Sequence, residues 1–203
     1  QLLLCTGAQP RQLSIPGADN NLVLYLRSRD DASSLRLRLT NECRLAVIGG
    51  GLIGLEVAAT ARLLGCDVKV FEADDILLGR LQVPTLSELV RSLHDKHGVK
   101  VVTQSTIAFF ENSKSGISAH FNDGSSSSFD LILAGIGAVP EIELAEQAGI
   151  QCADGIIVNE YCETSFPGIF AAGDAAHRID SVTGLSERLE TWQNAEEQAA
   201  AAA

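Results

Sequence analysis

The sequence predicts an α/β protein whose main sheet is parallel and carries an antiparallel three-stranded insertion. Three observations lead there. Hydrophobic residues make up 46% of the 203 residues but aromatics only 5%, and there are 18 glycines. That balance of small and branched aliphatic side chains suits a tightly wound α/β fold better than an aromatic-rich sandwich. The apolar run Arg44 to Ile48 enters a glycine turn, an alanine-rich helical pattern and then an alternating segment, the strand, helix, strand order that parallel pairing requires. A second run, Phe129 to Ile136, is apolar but for Asp130, as in a strand buried on both faces.

The elements follow in chain order. QLLLCTGAQP at the start and DLILAGIGAVP from Asp130 share one pattern, an apolar strand, a small-residue turn and a proline. Arg44 to Ile48 is a strand, Leu52 to Leu64 a helix stopped by Gly65, and Cys66 to Glu72 a strand. Pro84 to His97 is a second helix, with proline in its first turn, Leu86, Leu89, Val90 and Leu93 on one face, and Gly98 at its end. Val99 to Thr103, Thr106 to Glu111 and Ile117 to Phe121 read as the three inserted strands. Asn122-Asp123-Gly124 reads as a tight turn and Ser125 to Ser128 as a solvated loop. Beyond Pro140 come a short helix, strands at Gly155 to Val158 and Gly168 to Ala172, and an alanine-rich end.

Charge narrows the partners. A net charge of -11 and a pI near 4.7 set the chain against nucleic acid and anionic membrane, whose surfaces repel it. The longest uncharged apolar stretch, Leu45 to Leu55, falls short of the roughly 18 residues of a membrane helix. The cysteines Cys5, Cys43, Cys66, Cys152 and Cys162 are odd in number and dispersed, with no CxxC. They fit a reduced, cytoplasmic compartment and a role as small buried hydrophobes. His94 and His97 have a helical spacing open to a metal, but they end a helix beside Lys96, where cations stabilise the exposed carbonyls; no metal is expected. His120 and His177 read as surface residues.

The strongest chemical motif is AVIGGGLIGLEVAA, Ala46 to Ala59. Gly49, Gly51 and Gly54 form GxGxxG where a strand meets a helix. The first glycine makes the turn, the second lets backbone approach a pyrophosphate, and the third lets helix pack against strand. The N–H groups of the first helical turn, at Leu52 and Ile53, are placed to meet that anion. Glu72 ends the next strand 23 residues after Gly49, where a carboxylate accepts hydrogen bonds from the adenosine ribose of NAD. A 2'-phosphate about 4 Å from it costs on the order of 1 kcal/mol with water-like screening and about 4 when partly buried. NAD is therefore expected to beat NADP by roughly tenfold or more. A second motif, TSFPGIFAAGDAA from Thr164 to Ala176, reads as a strand feeding a helix whose N-terminus meets a phosphate, with Asp174 reaching sugar hydroxyls.

Gly49 to Glu56, Gly135-Ile136-Gly137, Thr164 to Asp174 and Glu190-Thr191-Trp192-Gln193-Asn194-Ala195 together resemble the FAD-dependent pyridine-nucleotide oxidoreductases of glutathione-reductase type. That fold holds two Rossmann-like nucleotide-binding domains, the NAD domain inserted into the FAD domain. The closing ETWQNA is similar to the ferredoxin:NAD reductases that serve aromatic ring-hydroxylating dioxygenases. The resemblance implies residues 1–20 as a piece of the FAD domain, 21–140 as the NAD domain and 141–203 as the rest of the FAD domain, with the opening repeat explained by the duplication. It also implies a fragment, its upstream FAD motif and C-terminal interface domain lying outside this chain.

Carried over by residue, the resemblance places Thr6 and Gly7 against the FAD adenosine and pyrophosphate, Gly173 and Asp174 at the ribityl and pyrophosphate region, and Trp192 beside the isoalloxazine. Gly49, Gly51, Leu52, Ile53, Gly54, Glu72 and Arg80 hold the NAD adenosine half, and Glu56, Gly135, Ile136 and Gly137 lie near the nicotinamide. Many relatives have arginine where this chain has Gln9, so the resemblance does not carry that flavin contact over, and Arg11 is no obvious substitute. The implied activity is NADH-to-FAD-to-ferredoxin electron transfer in aromatic hydrocarbon catabolism, with a [2Fe-2S] ferredoxin as partner and a monomer or homodimer as the working form. No side chain is required as a general base. Alternatives on the same scaffold are an NADH oxidase or rubredoxin reductase, and from another class an NAD-binding interaction protein similar to apoptosis-inducing factor.

Overall fold

The computed structural model describes residues 1–114, 116–179, 184 and 186–203, with the backbone alone at Glu187. The chain divides into two compact units, Gln1–Gln9 with Ala138–Ala203, and Pro10–Gly137.

The first unit opens with β1 (Leu2–Leu4) and β2 (Ala8–Pro10). The second unit then runs β3 (Val23–Leu24), α1 (Arg29–Arg38), β4 (Arg44–Ile48), α2 (Leu52–Leu63), β5 (Asp67–Phe71), α3 (Pro84–Lys96) and β6 (Lys100–Val102). It continues through β7 (Ile107–Ser113), β8 (Gly116–Phe121) and β9 (Ser126–Phe129) to β10 (Leu131–Ala134). Strands β3, β10, β4, β5 and β6 lie in that order in one sheet, and every pair in it is parallel. From β4 the chain steps outward through β5 to β6, and β10 returns on the other side of β4. That reversal opens a crevice at the carboxyl ends of β4 and β10.

Alternation along β4 assigns its two faces. Leu45 and Val47 join Leu35 of α1, Leu55, Val57, Ala58 and Ala61 of α2, and Val68 and Val70 of β5 in a helix-side core. Ala46 and Ile48 face the opposite way, with Phe71, into Phe110, Ile117, Ala119, Phe121 and Phe129 of the antiparallel sheet. Phe71 sits 4.7 Å from the Phe121 ring and edge-on to Phe129 at 5.9 Å, and burying each such side chain contributes about 1.5–3 kcal/mol. Residues 10–20, expected with the opening segment, pack on this second core through Leu13, Ile15 and Ala18, and Phe110 N–H donates to Pro16 O at 2.9 Å.

The three-stranded antiparallel sheet is present, but its strands are β7, β8 and β9. Val99 to Thr103, expected in it, instead supplies β6 of the parallel sheet, because a strand leaving α3 returns beside β5 as a parallel crossover. The serine run, expected as loop, is β9: backbone pairing with β8 needs no apolar alternation, and Ser118 and Ser128 hydroxyls meet at 2.9 Å. The apolar face expected on α3 is only partly buried, since Val90 packs on the core while Leu89 and Leu93 stay exposed.

The chain returns to the first unit through β11 (Ala138–Pro140), α4 (Glu143–Gln147), β12 (Cys152–Ala153), β13 (Gly155–Val158), β14 (Ile169–Ala171), β15 (Ala176–Ile179), β16 (Ser186–Glu187) and α5 (Trp192–Ala202). β1 pairs in parallel with β14, Leu4 opposite Ala171, and β2 pairs with β11. The Ala-Gly-Asp motif does not feed a helix. Gly173–Ala175 makes a single 3-10 turn and leads straight into β15, which pairs with β13 and buries Ala175 and Ala176 against Leu4, Ile156 and Val158. Among the described residues no helix is long and apolar enough to cross a membrane.

Candidate functional site

The glycine motif closes the carboxyl ends of three neighbouring strands. Gly49 N–H donates to Phe71 O at the end of β5, and Gly135 N–H donates to Ile48 O at the end of β4, each at 2.8 Å. Gly49 has φ of 103°, and a Cβ there would collide with Gly135 O, so glycine is required on both counts. A Cβ on Gly54 would strike Gly49 O and press on Val47, which is how α2 packs so close to β4. Gly51 precedes α2, and a Cβ there would meet nothing within 4 Å. The first turn of α2 has no acidic residue and no side-chain cap, while Leu52 and Ile53 are exposed. An uncapped, glycine-entered helix start of this kind presents aligned N–H groups and a positive dipole end to an anion.

Glu72 follows β5 directly. One carboxylate oxygen accepts Gly50 N–H at 2.5 Å and the other accepts Asp74 N–H at 2.9 Å. These bonds aim a carboxylate at the mouth of the glycine turn. Arg80 is exposed on a 3-10 turn, Gly79–Leu81, and its Nη2 lies 3.2 Å from where a Cβ on Gly137 would stand. Ile136 packs on the antiparallel-side core. Thus Gly49, Gly51, Leu52, Ile53, Gly54, Glu72, Arg80, Gly135, Ile136 and Gly137 come together at one end of the parallel sheet. Glu56 stands exposed one turn further along α2.

In the first unit, β1 and β14 run side by side, so Thr6-Gly7 and Gly173-Asp174 leave adjacent strand ends. Ala172 N–H donates to Leu4 O at 3.1 Å, Glu141 N–H donates to Gly7 O at 2.9 Å, and the Thr6 hydroxyl donates to Glu141 O at 2.6 Å. Trp192 is 81% exposed at the start of α5, after Thr191, whose hydroxyl accepts Asn194 N–H at 3.2 Å.

Two residues absent from the sequence-based set hold the Gly173-Asp174 turn. Gln198, buried on α5, accepts Gly173 N–H through its side-chain carbonyl at 2.8 Å. Arg188, with a side chain only 3% exposed, pairs with Glu190 at 2.6 Å and Asp154 at 3.3 Å and donates to Asp174 O at 3.2 Å. The signal for Gln198 was its helical spacing from Thr191 and Ala195, which puts all three on one face. Arg188 offered only its nearness to ETWQNA.

Of the five cysteines expected to be buried, Cys43, Cys66 and Cys162 are, while Cys5 is exposed and Cys152 half-buried. His94 sets Nδ1 2.9 Å from Val90 O and Nε2 3.1 Å from Leu55 O, and His97 sets Nδ1 2.8 Å from Leu93 O. Among the described residues no group of three or more His, Cys, Asp or Glu is arranged to hold a metal ion. His177 lies 3.1 Å from Asp154 O, and His120 stacks on Phe109 at 4.2 Å. Burial pushes the Cys43 thiol up to about 11 and raises Cys66 and Cys162 as well, so these three are poor nucleophiles at neutral pH.

The chain as a whole is similar to known proteins in sequence and in fold. The chain is 37% identical over 203 residues to the 3-phenylpropionate/cinnamic acid dioxygenase ferredoxin–NAD(+) reductase component of Photorhabdus laumondii, covering 100% of this chain and 52% of that protein. It is 38% identical over 204 residues to a rubredoxin–NAD(+) reductase of Pseudomonas putida, covering 98% and 52%. Its structure matches the covalent putidaredoxin reductase–putidaredoxin complex with a TM-score of 0.93 at 38% identity, over 99% of this chain and 50% of that one. The chain thus spans about half the length of the curated relatives it matches. Residues 1–199 match the pyridine nucleotide-disulphide oxidoreductases, and with the parallel sheet and glycine turn described above this chain belongs to that family.

Proposed function

We propose that this chain is the NAD-reading portion, with part of the FAD domain, of a cytoplasmic flavoprotein reductase that passes electrons from NADH through FAD to a [2Fe-2S] ferredoxin serving a ring-hydroxylating dioxygenase. The observation that carries this is the Glu72 carboxylate, held by Gly50 and Asp74 N–H groups beside the open face of Gly51. Gly51 leaves room for a pyrophosphate, and the first turn of α2 supplies N–H donors to it. Glu72 has its charge fixed in place to accept ribose hydroxyls and to repel a 2'-phosphate. The Gly135 to Gly137 turn and Glu56 face the nicotinamide half. Thr6, Gly7, Gly173, Asp174 and Trp192 hold FAD, and the firmly tied Gly173-Asp174 turn fits a rigid contact to that cofactor. When bound, the nicotinamide and flavin supply the hydride and single-electron chemistry, and the chain positions them. The relatives' names support the acceptor class.

A second reading, electron delivery to a rubredoxin, is favoured by the rubredoxin reductase relative at similar identity. The experiment is anaerobic stopped-flow bleaching of the FAD-loaded protein with NADH and NADPH, followed by an iron-sulfur acceptor. Rapid bleaching by NADH, slower bleaching by NADPH and recolouring with a [2Fe-2S] ferredoxin are expected. Recolouring by rubredoxin alone moves the assignment to the second reading. A slow reaction that ignores both acceptors rejects electron delivery.

A further inference from the structure

Gln198 and Ser87 are polar residues buried in the fold. Ser87 lies in α3, outside every motif singled out in the sequence, and α3 itself contributes nothing to the glycine turn. Its hydroxyl oxygen nevertheless accepts the N–H of Leu77 at 2.9 Å, in the loop that follows Glu72. The next residue, Leu78, takes a left-handed conformation with φ of 56°, which a branched side chain adopts only when its surroundings impose it. Leu78 N–H donates to Gly50 O at 2.9 Å, and Gly50 N–H donates to Glu72. Leu77, 1% exposed, fills with its Cδ2 the space where a Cβ on Gly50 would stand. A continuous path therefore runs from Ser87 through Leu77 and Leu78 to the Gly50 peptide and the Glu72 carboxylate.

We infer that Ser87 is a positioning residue for nucleotide discrimination: it seats the loop after β5 on the Gly50 peptide and thereby fixes the direction of the Glu72 carboxylate. This rests on the reading of Glu72 as the group that selects NAD over NADP. Without the Ser87 oxygen, the buried Leu77 N–H has no acceptor, and a group of that kind is costly to leave unmade. The loop relaxes, Leu78 leaves its left-handed state, and the Gly50 peptide is released from one side. A carboxylate no longer aimed loses hydrogen bonds to a ribose and also repels a 2'-phosphate less, so the two nucleotides respond in opposite senses. Simple loosening of the fold weakens both alike.

The experiment measures NAD and NADP affinities by calorimetry on the purified protein and on Ser87→Ala, Ser87→Thr and Glu72→Gln. The NAD-to-NADP preference is expected to fall about five- to tenfold in Ser87→Ala, the size of one lost buried hydrogen bond, and to recover in Ser87→Thr, which restores the hydroxyl. An unchanged preference in Ser87→Ala alongside a collapsed one in Glu72→Gln overturns the role of Ser87 and leaves the reading of Glu72 standing. No preference in the unaltered protein, or none lost in Glu72→Gln, overturns both. Amide exchange of Leu77 in the unaltered protein covers the case of a variant that does not fold: slow exchange is expected, and exchange at the rate of an open loop overturns the inference.

Discussion

Arg44 and Asp130 show how a single pair ties the start of β4 to the entrance of β10. Asp130 accepts from the Arg44 backbone N–H at 2.8 Å and from its guanidinium at 2.6 and 3.2 Å. The Arg44 side-chain bonds hold the Asp130 carboxyl below its ordinary range, against partial desolvation. Both side chains are more than a third exposed, so solvent screening limits the pair to about 0.5–1 kcal/mol. A carboxyl lowered on folding contributes its stability above the ordinary Asp range and loses it as pH falls through the lowered value. Asp130→Asn should therefore lower the urea midpoint at pH 7, and its deficit against the wild type should shrink as pH falls below the ordinary Asp range and through the lowered value. Glu72 was legible in the sequence because a carboxylate ending the strand after GxGxxG has a fixed spacing. Asp130, Ser87, Arg188 and Gln198 were not, since each acts on a backbone group distant in sequence that only folding brings within reach.

At the scale of the element, α2 depends on contact with β4. Gly54→Ala places a methyl against Gly49 O and Val47, where the nearest neighbour is backbone and cannot swing aside. The expected cost is about 1–3 kcal/mol with NAD affinity lost, read by thermal melting with and without nucleotide. Arg62 anchors the other end of the helix, donating to His97 O and Cys66 O at 3.0 Å each. The boundaries of β4 and β13 were readable from apolar runs between glycine or polar breaks. β9 was not, because Ser126 to Ser128 carry no hydrophobic signal and only Phe129 reaches the core. The place of Val99 to Thr103 was missed for a related reason: local alternation identifies a strand but not the neighbour it pairs with.

At the scale of the whole molecule, the fold class was legible from the strand, glycine turn, helix and strand around Gly49, and the family from Gly49 to Glu56, Gly135-Ile136-Gly137, Thr164 to Asp174 and Glu190 to Ala195 taken together. The Pro10–Gly137 unit contains the five-stranded parallel sheet, both cores that flank it and every residue proposed to hold NAD. Expressed alone, it should fold and bind NAD with an affinity within about threefold of the whole chain, a tolerance typical of energies that add between independent sites. It should retain no FAD. Calorimetry for NAD and absorbance for flavin check the two halves; loss of NAD binding with the fold intact would show that the nucleotide site needs the other unit.

The chain leaves and rejoins the first unit at Gln9/Pro10 and Gly137/Ala138. At that point β2 pairs with β11, and Arg11 N–H donates to Gly137 O at 2.9 Å. In mechanical terms β2 and β11 act as a clasp across the two points where the chain crosses. Tension applied to the first unit at Gln9 and Ala138 falls on the paired strands β2 and β11 before it reaches the parallel sheet.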